Sequence, residues 1–171
     1  MRALLLATLL VLAGCAAPLG TDAPPTPTGS CMEERKPTPT ADGSDVDAQP
    51  YPDPPATFST DSVREYVEAY ESALLRNDAL AGQNLSYLEV YVEDLSVTRR
   101  GDMYVVRLQS YTNGGYYERE GEGTPIVVHW DGAPTPASYL VTEDRLVRAE
   151  SDGDDHVSLA RLRNGTTLEC F

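Results

Sequence analysis

Lysine is nearly absent from this chain. Lys36 is the only lysine among 171 residues, and the other 12 of the 13 basic residues are arginine. The 27 acidic residues therefore dominate, and the formal net charge at pH 7 is −14. A surface of this sign repels nucleic-acid phosphates and anionic lipid headgroups. The composition excludes nucleic acid as a partner and excludes electrostatic docking on an anionic membrane.

Residues that carry chemistry are also scarce. The chain has two histidines, His129 and His156, and three cysteines. Glycine-rich phosphate loops and the Gly-x-Ser-x-Gly nucleophile motif do not occur. His129 lies on a predicted strand without a partner for general-base chemistry, and His156 follows acidic residues in a predicted loop. We predict no catalytic residue, no metal site and no cofactor, and therefore a protein that is not an enzyme.

Two acidic clusters, at residues 42–47 and 152–155, are candidate cation sites. The first lacks the bidentate glutamate that ends a calcium-binding loop. The second offers carboxylate oxygens, yet such clusters are ordinary solvated surface in a strongly acidic protein. We interpret both as surface.

The apolar run Ala3–Ala13 is shorter than the roughly 20 residues that a helix needs to cross a bilayer. It follows Met1-Arg2 and closes at Leu12-Ala13-Gly14-Cys15. A positive start, a short apolar core and small residues before a cleavage point are typical of a secretory signal. We therefore predict a signal peptide over residues 1–14.

Its last residues, Leu12-Ala13-Gly14-Cys15, resemble the lipobox of prokaryotic lipoproteins. The resemblance implies cleavage before Cys15 and lipidation of its sulfur. A protein processed in this way is anchored to the membrane by lipid without crossing it. The implied location is the extracellular face of the cell membrane.

Residues 15–58 form a predicted tether rich in proline, threonine and aspartate. Proline fixes φ and removes hydrogen-bond donors, so this composition favours extended polyproline II over a packed fold. The globular domain is expected to occupy residues 59–171.

Two cysteines remain once Cys15 carries the lipid, namely Cys31 and Cys170. An even pair on an extracytoplasmic chain favours one disulfide. Two free thiols are the alternative. A metal site would need more cysteine or histidine ligands than the chain supplies.

One amphipathic helix opens the domain. Its cap is predicted at Thr60 or Asp61, or as a capping box of Ser62 with Glu65, and its end near Asn77-Asp78. Apolar residues at three- and four-residue spacing predict one buried stripe: Val63, Tyr66, Val67, Tyr70, Ala73 and Leu74. The charged residues are expected to face away: Arg64, Glu65, Glu68, Glu71 and Arg76.

Alternating strands follow from Leu85. The alternation shifts phase after Glu93-Asp94, which predicts a β-bulge there. Arg100-Gly101-Asp102 predicts a hairpin turn, and Asn113-Gly114-Gly115 predicts a break or bulge in the second strand. The fold class is therefore α+β, with one N-terminal helix packed on a curved antiparallel sheet of about five strands. This element order is similar to cystatin-like and nuclear-transport-factor-like folds.

The lysine-poor acidic composition, the start Val63–Glu71 and the end Asn164–Cys170 resemble secreted lipoproteins of haloarchaea. The resemblance covers residues 51–171 and implies no activity. In those proteins a cysteine before the helix precedes a Pro/Lys pair. Here Met32–Arg35 separates Cys31 from Lys36-Pro37, and an acidic insert follows.

Two functions remain open: a binding or interaction module, and a small enzyme with a pocket inside a cone-shaped sheet. The aromatic residues that are candidates for a binding surface are also ordinary core candidates: Tyr87, Tyr91, Tyr104, Tyr111, Tyr117 and Trp130. Asn84 and Asn164 fit the glycosylation acceptor pattern. We predict the non-catalytic module, which meets the membrane through its lipid and has a protein or small-molecule partner that the sequence does not identify.

Overall fold

The computed structural model describes residues 31–37, 39, 44–119, 121, 123–151, 153 and 155–171. The predicted signal peptide and Cys15 lie outside the described residues. The elements are, in order, α1 (Thr60–Gly82), β1 (Leu85–Arg100), β2 (Met103–Glu118), β3 (Ile126–Asp131), β4 (Thr135–Val141), β5 (Arg145–Glu150), α2 (Leu159–Leu162) and β6 (Thr166–Cys170).

The six strands form one antiparallel sheet on which α1 packs, so the predicted α+β class is confirmed. The strand order is β1-β2-β4-β5-β6, and β3 pairs with β2. The sheet has six strands where about five were expected, and β6 pairs with β5 with one register shift, between Leu146 and Val147. Residues 31–37 and 44–58 precede α1, so α1 follows a described segment of irregular chain.

β3 and β4 lie one after the other along the same edge of β2. β3 pairs with residues 113–118 of β2 and β4 with residues 104–110. Between them Gly132 donates its amide to the Thr112 carbonyl at 3.0 Å. A Cβ atom on Gly132 would lie 2.5 Å from that carbonyl oxygen, so the chain needs glycine here to pass so close to β2.

The start of α1 is one residue earlier than predicted. Ser59 is the N-cap, and its hydroxyl accepts a bond from the Ser62 amide at 3.1 Å. The Ser62 hydroxyl in turn accepts a bond from the Ser59 amide at 2.9 Å. A serine at the third helical position thus performs the reciprocal capping for which Glu65 was expected.

The end of α1 is also later than predicted, at Gly82 instead of Asn77-Asp78. Asn77 is buried, and its side-chain amide bonds both backbone groups of Gln49, at 2.8 and 3.0 Å. Because its side chain is bonded to Gln49, Asn77 does not bond the backbone of its own helix in place of the helical hydrogen bonds. The extra turn buries Leu80 against Val46 and Leu85.

The main core lies between α1 and one face of the sheet. It contains four residues of the predicted helical stripe and the inward residues of four strands: Val63, Tyr66, Val67, Tyr70, Tyr104, Val106, Leu108, Ala137, Tyr139, Val141, Leu146 and Leu168. On the opposite face, Val157 and Leu162 cover the β4–β5 end through contacts with Met103, Leu140 and Val147. The part of the outer face where β2 lies between β1 and β3 does not belong to this second cluster.

Part of the predicted tether lies against the domain. Tyr51 and Phe58 pack on the main core, and the Glu34 amide donates to the Thr167 carbonyl at 2.8 Å. The predicted disulfide is confirmed: Cys31 and Cys170 are bonded, with their Cα atoms 5.9 Å apart. Within the described residues, no helix is both long and apolar enough to span a membrane.

Candidate functional site

A buried ion pair joins α1 to the sheet, and it corrects one prediction. Glu71 was expected to face away from the core, but its side chain is completely buried. Its Oε1 accepts bonds from Ser110 Oγ at 2.5 Å and Arg148 Nη2 at 2.7 Å. Its Oε2 accepts bonds from the Tyr139 hydroxyl and from Arg148 Nε, the latter at 2.9 Å. Four donors from β2, β4 and β5 thus satisfy one carboxylate.

Electrostatics keep this carboxylate ionised. Burial alone would raise the pKa of Glu71, but the charge of Arg148 and the bonds from Arg148, Ser110 and Tyr139 outweigh burial and hold the pKa below its usual value. The pKa of Tyr139 is raised, first by burial and then by the neighbouring Glu71 charge. A carboxylate has about four acceptor positions. All of them are engaged here, so Glu71 has no lone pair left for a proton transfer to a substrate.

Arg148 connects this network to the surface. Its Nη1 donates to Glu150, and its side chain lines an open cleft of about 610 Å³ between β5, α2, β6 and residues 32–34. Glu33, Glu34 and Glu150 line the same cleft. The guanidinium is already paired with Glu71 and Glu150, so Arg148 offers no uncompensated positive charge to a ligand in the cleft.

The outer face of β1, β2 and β3 carries a cluster of tyrosines. Register places these side chains on one face, because directly paired residues and residues two apart share a side of a sheet. We call this surface the tyrosine face; its members are Tyr87, Tyr91, Tyr111, Tyr117, Val127 and His129. Tyr117 is 41% exposed, Tyr87 39% and Val127 38%.

Contacts within the tyrosine face order its rings. Tyr91 and Tyr111 stack with centroids 4.7 Å apart and planes 10° from parallel. The Tyr87 hydroxyl and His129 Nδ1 are hydrogen-bonded at 3.0 Å. The rings are therefore held in place on an exposed surface, where fixed aromatics lose little conformational freedom on binding.

Three of the tyrosine hydroxyls donate to carboxylates. Tyr91 bonds Glu89 at 2.9 Å, Tyr111 bonds Glu93 at 3.3 Å, and Tyr117 bonds Asp45 at 2.6 Å. Bonding to its carboxylate is the first cause of the raised pKa of Tyr91 and also of Tyr117. Each ring is thus coupled to a negative charge at its edge.

At Asn113-Gly114-Gly115 a break or bulge was predicted. β2 runs through both glycines without a break, and a register shift between β1 and β2 lies opposite them, between Leu85 and Tyr87. A Cβ atom on Gly114 would lie 2.3 Å from the ring of Trp130. One on Gly115 would lie 2.7 Å from the ring of Tyr87. The glycines make room for aromatic rings on the two opposite faces of the strand.

The structure divides the six aromatic candidates. Four of them form the tyrosine face, whereas Tyr104 is buried in the main core and Trp130 packs beside Leu80 and Leu85 on the inner side. His129, which the sequence left without a partner, meets Tyr87. His156 lies 3.5 Å from the Ser138 hydroxyl.

Of the acidic clusters, Asp45 meets the tyrosine face through Tyr117. Asp42, Asp152 and Asp154 lie outside the described residues. In the described part of the chain, no group of three or more acidic, histidine or cysteine side chains is placed to hold a metal ion. Asn84 and Asn164 are both exposed.

No family model, curated protein or solved structure matches this chain.

Sequence reasoning missed Glu71, although a signal was present. Glu71 lies four residues after Val67 and three before Leu74, which places it within the apolar stripe. An acidic residue at such a position indicates a buried partner, because an unpaired charge in a core is very costly. Its partner Arg148 lies on β5, and no local pattern connects the two.

Proposed function

We propose that the protein is a non-catalytic binding module, anchored by lipid at the extracellular face of the cell membrane, that meets its partner through the tyrosine face. The exposed and ordered tyrosines carry the proposal. Tyrosine is enriched at protein interfaces because one side chain supplies apolar area and a hydroxyl together. The Cys31–Cys170 disulfide supports a location outside the reducing cytoplasm.

We also propose that the sheet curves around α1, as in cystatin-like or nuclear-transport-factor-like folds. Two irregularities support this. The β1–β2 register shifts between Glu93 and Ser96, with Asp94 at a φ of 51°. Strand pairing along this edge of β2 is also interrupted between β3 and β4. Bulges and interruptions of this kind bend strands.

The alternative function, a small enzyme with a pocket inside a cone-shaped sheet, has less support. It requires a titratable group that is free to act. Glu71 is the buried carboxylate inside the sheet, and its oxygens accept four bonds from protein donors. That arrangement suits a structural ion pair.

Anchoring is tested by replacing Cys15 with serine. The wild-type protein is expected in the membrane fraction and the Cys15→Ser protein in the medium, because the acceptor sulfur is lost. Western blots of separated fractions measure this. Retention of both proteins in the membrane to the same extent contradicts the proposed anchor.

The binding surface is tested by photocrosslinking in the native membrane. A photoreactive phenylalanine analogue at Tyr117 is expected to give a discrete protein adduct, because that side chain lies on the tyrosine face. The matched control carries the analogue at Glu68, an exposed position on the outer side of α1, and is expected to give none. Absence of an adduct at Tyr117, or equal adducts at both positions, contradicts the assignment of the surface.

Glycosylation is expected at Asn164 more than at Asn84. Asn164 is exposed in the turn that follows α2. Ser86 of the other acceptor pattern instead donates its hydroxyl to the Gly115 carbonyl at 3.1 Å. Intact-mass analysis of native protein should show a glycan that is lost in Asn164→Gln and kept in Asn84→Gln. An unmodified native mass contradicts the prediction.

A further inference from the structure

We propose that the tyrosine face binds a positively charged, extended segment of a partner protein. This inference rests on the proposed function of the face and adds the chemistry of the partner.

The face carries more negative than positive charge. Around the tyrosines, its outward positions on β1, β2 and β3 are Tyr87, Glu89, Tyr91, Glu93, Gln109, Tyr111, Asn113, Gly115, Tyr117, Val127, His129 and Asp131. Three of these residues are acidic and none is lysine or arginine; the next outward residue along β2, beyond Gln109, is Arg107. Asp45 adds a fourth carboxylate where it meets Tyr117. A basic partner is therefore complementary to the face, and an acidic partner is repelled.

Tyrosines and carboxylates are arranged here as recognition elements for a guanidinium or an ammonium group. Glu89 and Glu93 are each held next to a ring by a hydroxyl bond, from Tyr91 and Tyr111 respectively. A cation placed over such a ring gains the attraction of its electron-rich face. The same cation meets a carboxylate at the edge of the ring. An uncharged ligand gains neither of these contributions.

The edge of β3 indicates an extended segment. Among the described strands β3 pairs with β2 alone, so no described strand pairs with its other edge. Ile126 and Val127 on this strand are 54% and 38% exposed. An extended peptide added to such an edge gains backbone bonds and places alternate side chains over the adjoining face. Alternating basic and apolar residues match this edge and the tyrosine face together.

A second copy of this chain is the less suitable occupant. Each copy has a net charge of −14, and the part of the face around the tyrosines lacks lysine and arginine. Two such surfaces repel each other on approach. Self-association through the face is one of the outcomes that the experiment separates.

The experiment uses the full-length protein in detergent and a labelled peptide of alternating arginine and valine. Fluorescence anisotropy at 0.15 M salt is expected to show saturable binding. A peptide with citrulline in place of arginine keeps the shape and removes the charge, and is expected to bind at least about tenfold more weakly. Tyr91→Leu, and the pair Glu89→Gln with Glu93→Gln, should each weaken binding of the arginine peptide by about tenfold.

Glu68→Gln is the matched control, because it removes an acidic charge from the exposed side of α1. It is expected to leave binding unchanged. Circular dichroism of each variant checks that the fold is retained.

Equal binding of the arginine and citrulline peptides overturns the inference, as does an equal loss in Glu68→Gln. Tighter binding of a neutral oligosaccharide, or a dimer in ultracentrifugation that Tyr117→Ala abolishes, also overturns it. If a Tyr117 crosslink is found together with any of these results, the inferred chemistry of the partner is rejected and the proposed binding function of the face is retained.

Discussion

Replacing Arg148 with methionine is expected to lower the free energy of unfolding by about 3–5 kcal/mol, since removing one member of a buried ion pair leaves the other charge uncompensated. Glu71 is completely buried, and Arg148 supplies two of its four bonds. Without Arg148 the carboxylate must either remain charged in the core or take up a proton. Urea unfolding of the wild-type protein and of Arg148→Met at pH 7 measures the difference.

Two further variants make this result interpretable. Combining Arg148→Met with Glu71→Leu removes both charges and is expected to recover much of the loss, because apolar replacements of a buried pair are often nearly neutral. Arg119→Met removes an exposed arginine and is expected to change stability by less than about 0.5 kcal/mol. If Arg148→Met costs no more than Arg119→Met, the ion pair does not stabilise the fold.

The pair also predicts a pH dependence. The folded-state pKa of Glu71 is lowered, so its contribution to stability is complete above the pKa of the unfolded chain. It is lost as the pH falls through the lower folded-state pKa. The wild-type protein should therefore lose stability relative to the double variant, which lacks both groups, as the pH is lowered. A difference that stays constant from pH 7 to pH 3 contradicts this assignment.

Loss of the Cys31–Cys170 disulfide is the second large expected effect. The bond joins residues 139 apart in sequence. In the chain-entropy model, closing a loop of that length stabilises the folded state by about 4–5 kcal/mol. Reduction also frees residues 31–37, whose contacts with β6 include Glu34 with Thr167 and Lys36 with Glu169. Urea unfolding with and without a reductant measures the loss.

The double variant Cys31→Ser with Cys170→Ser provides the control. Its unfolding midpoint should match that of the reduced wild-type protein and should not respond to reductant. Non-reducing peptide mapping should recover the linked pair from the wild-type protein alone. An unchanged wild-type midpoint in the reductant, with both thiols shown to be free, contradicts the expected stabilisation.

Local patterns predicted the local features of this fold well. The bulge at Glu93-Asp94 follows from a phase change in alternation, and it is present, with Asp94 in the left-handed region. The turn at Gly101 follows from a glycine between two strands, and its φ of 67° requires that residue. Both depend on neighbouring residues alone, so one sequence is sufficient to find them.

Features that depend on distant partners were missed. Asn77 resembles a helix terminator until Gln49 is known to use its side chain. Gly114 and Gly115 resemble a break until the rings of Trp130 and Tyr87 are placed over them. The tyrosine face was predicted only in part, because alternation shows which residues share a side of a strand without showing which side α1 covers.

The position of the disulfide decides how the domain carries mechanical load. In a lipid-anchored protein, tension enters the domain at Cys31, and the bond passes it directly to Cys170 on β6. β6 and β1 lie at the two ends of the strand order β1-β2-β4-β5-β6. With the lipid anchor and the binding surface that we propose, a partner would pull near one end of the sheet and the membrane at the other. The load is then carried by the hydrogen bonds between neighbouring strands. Because the Cys31–Cys170 bond passes the force directly to β6, residues 44–58 are not the first part to be pulled off the domain.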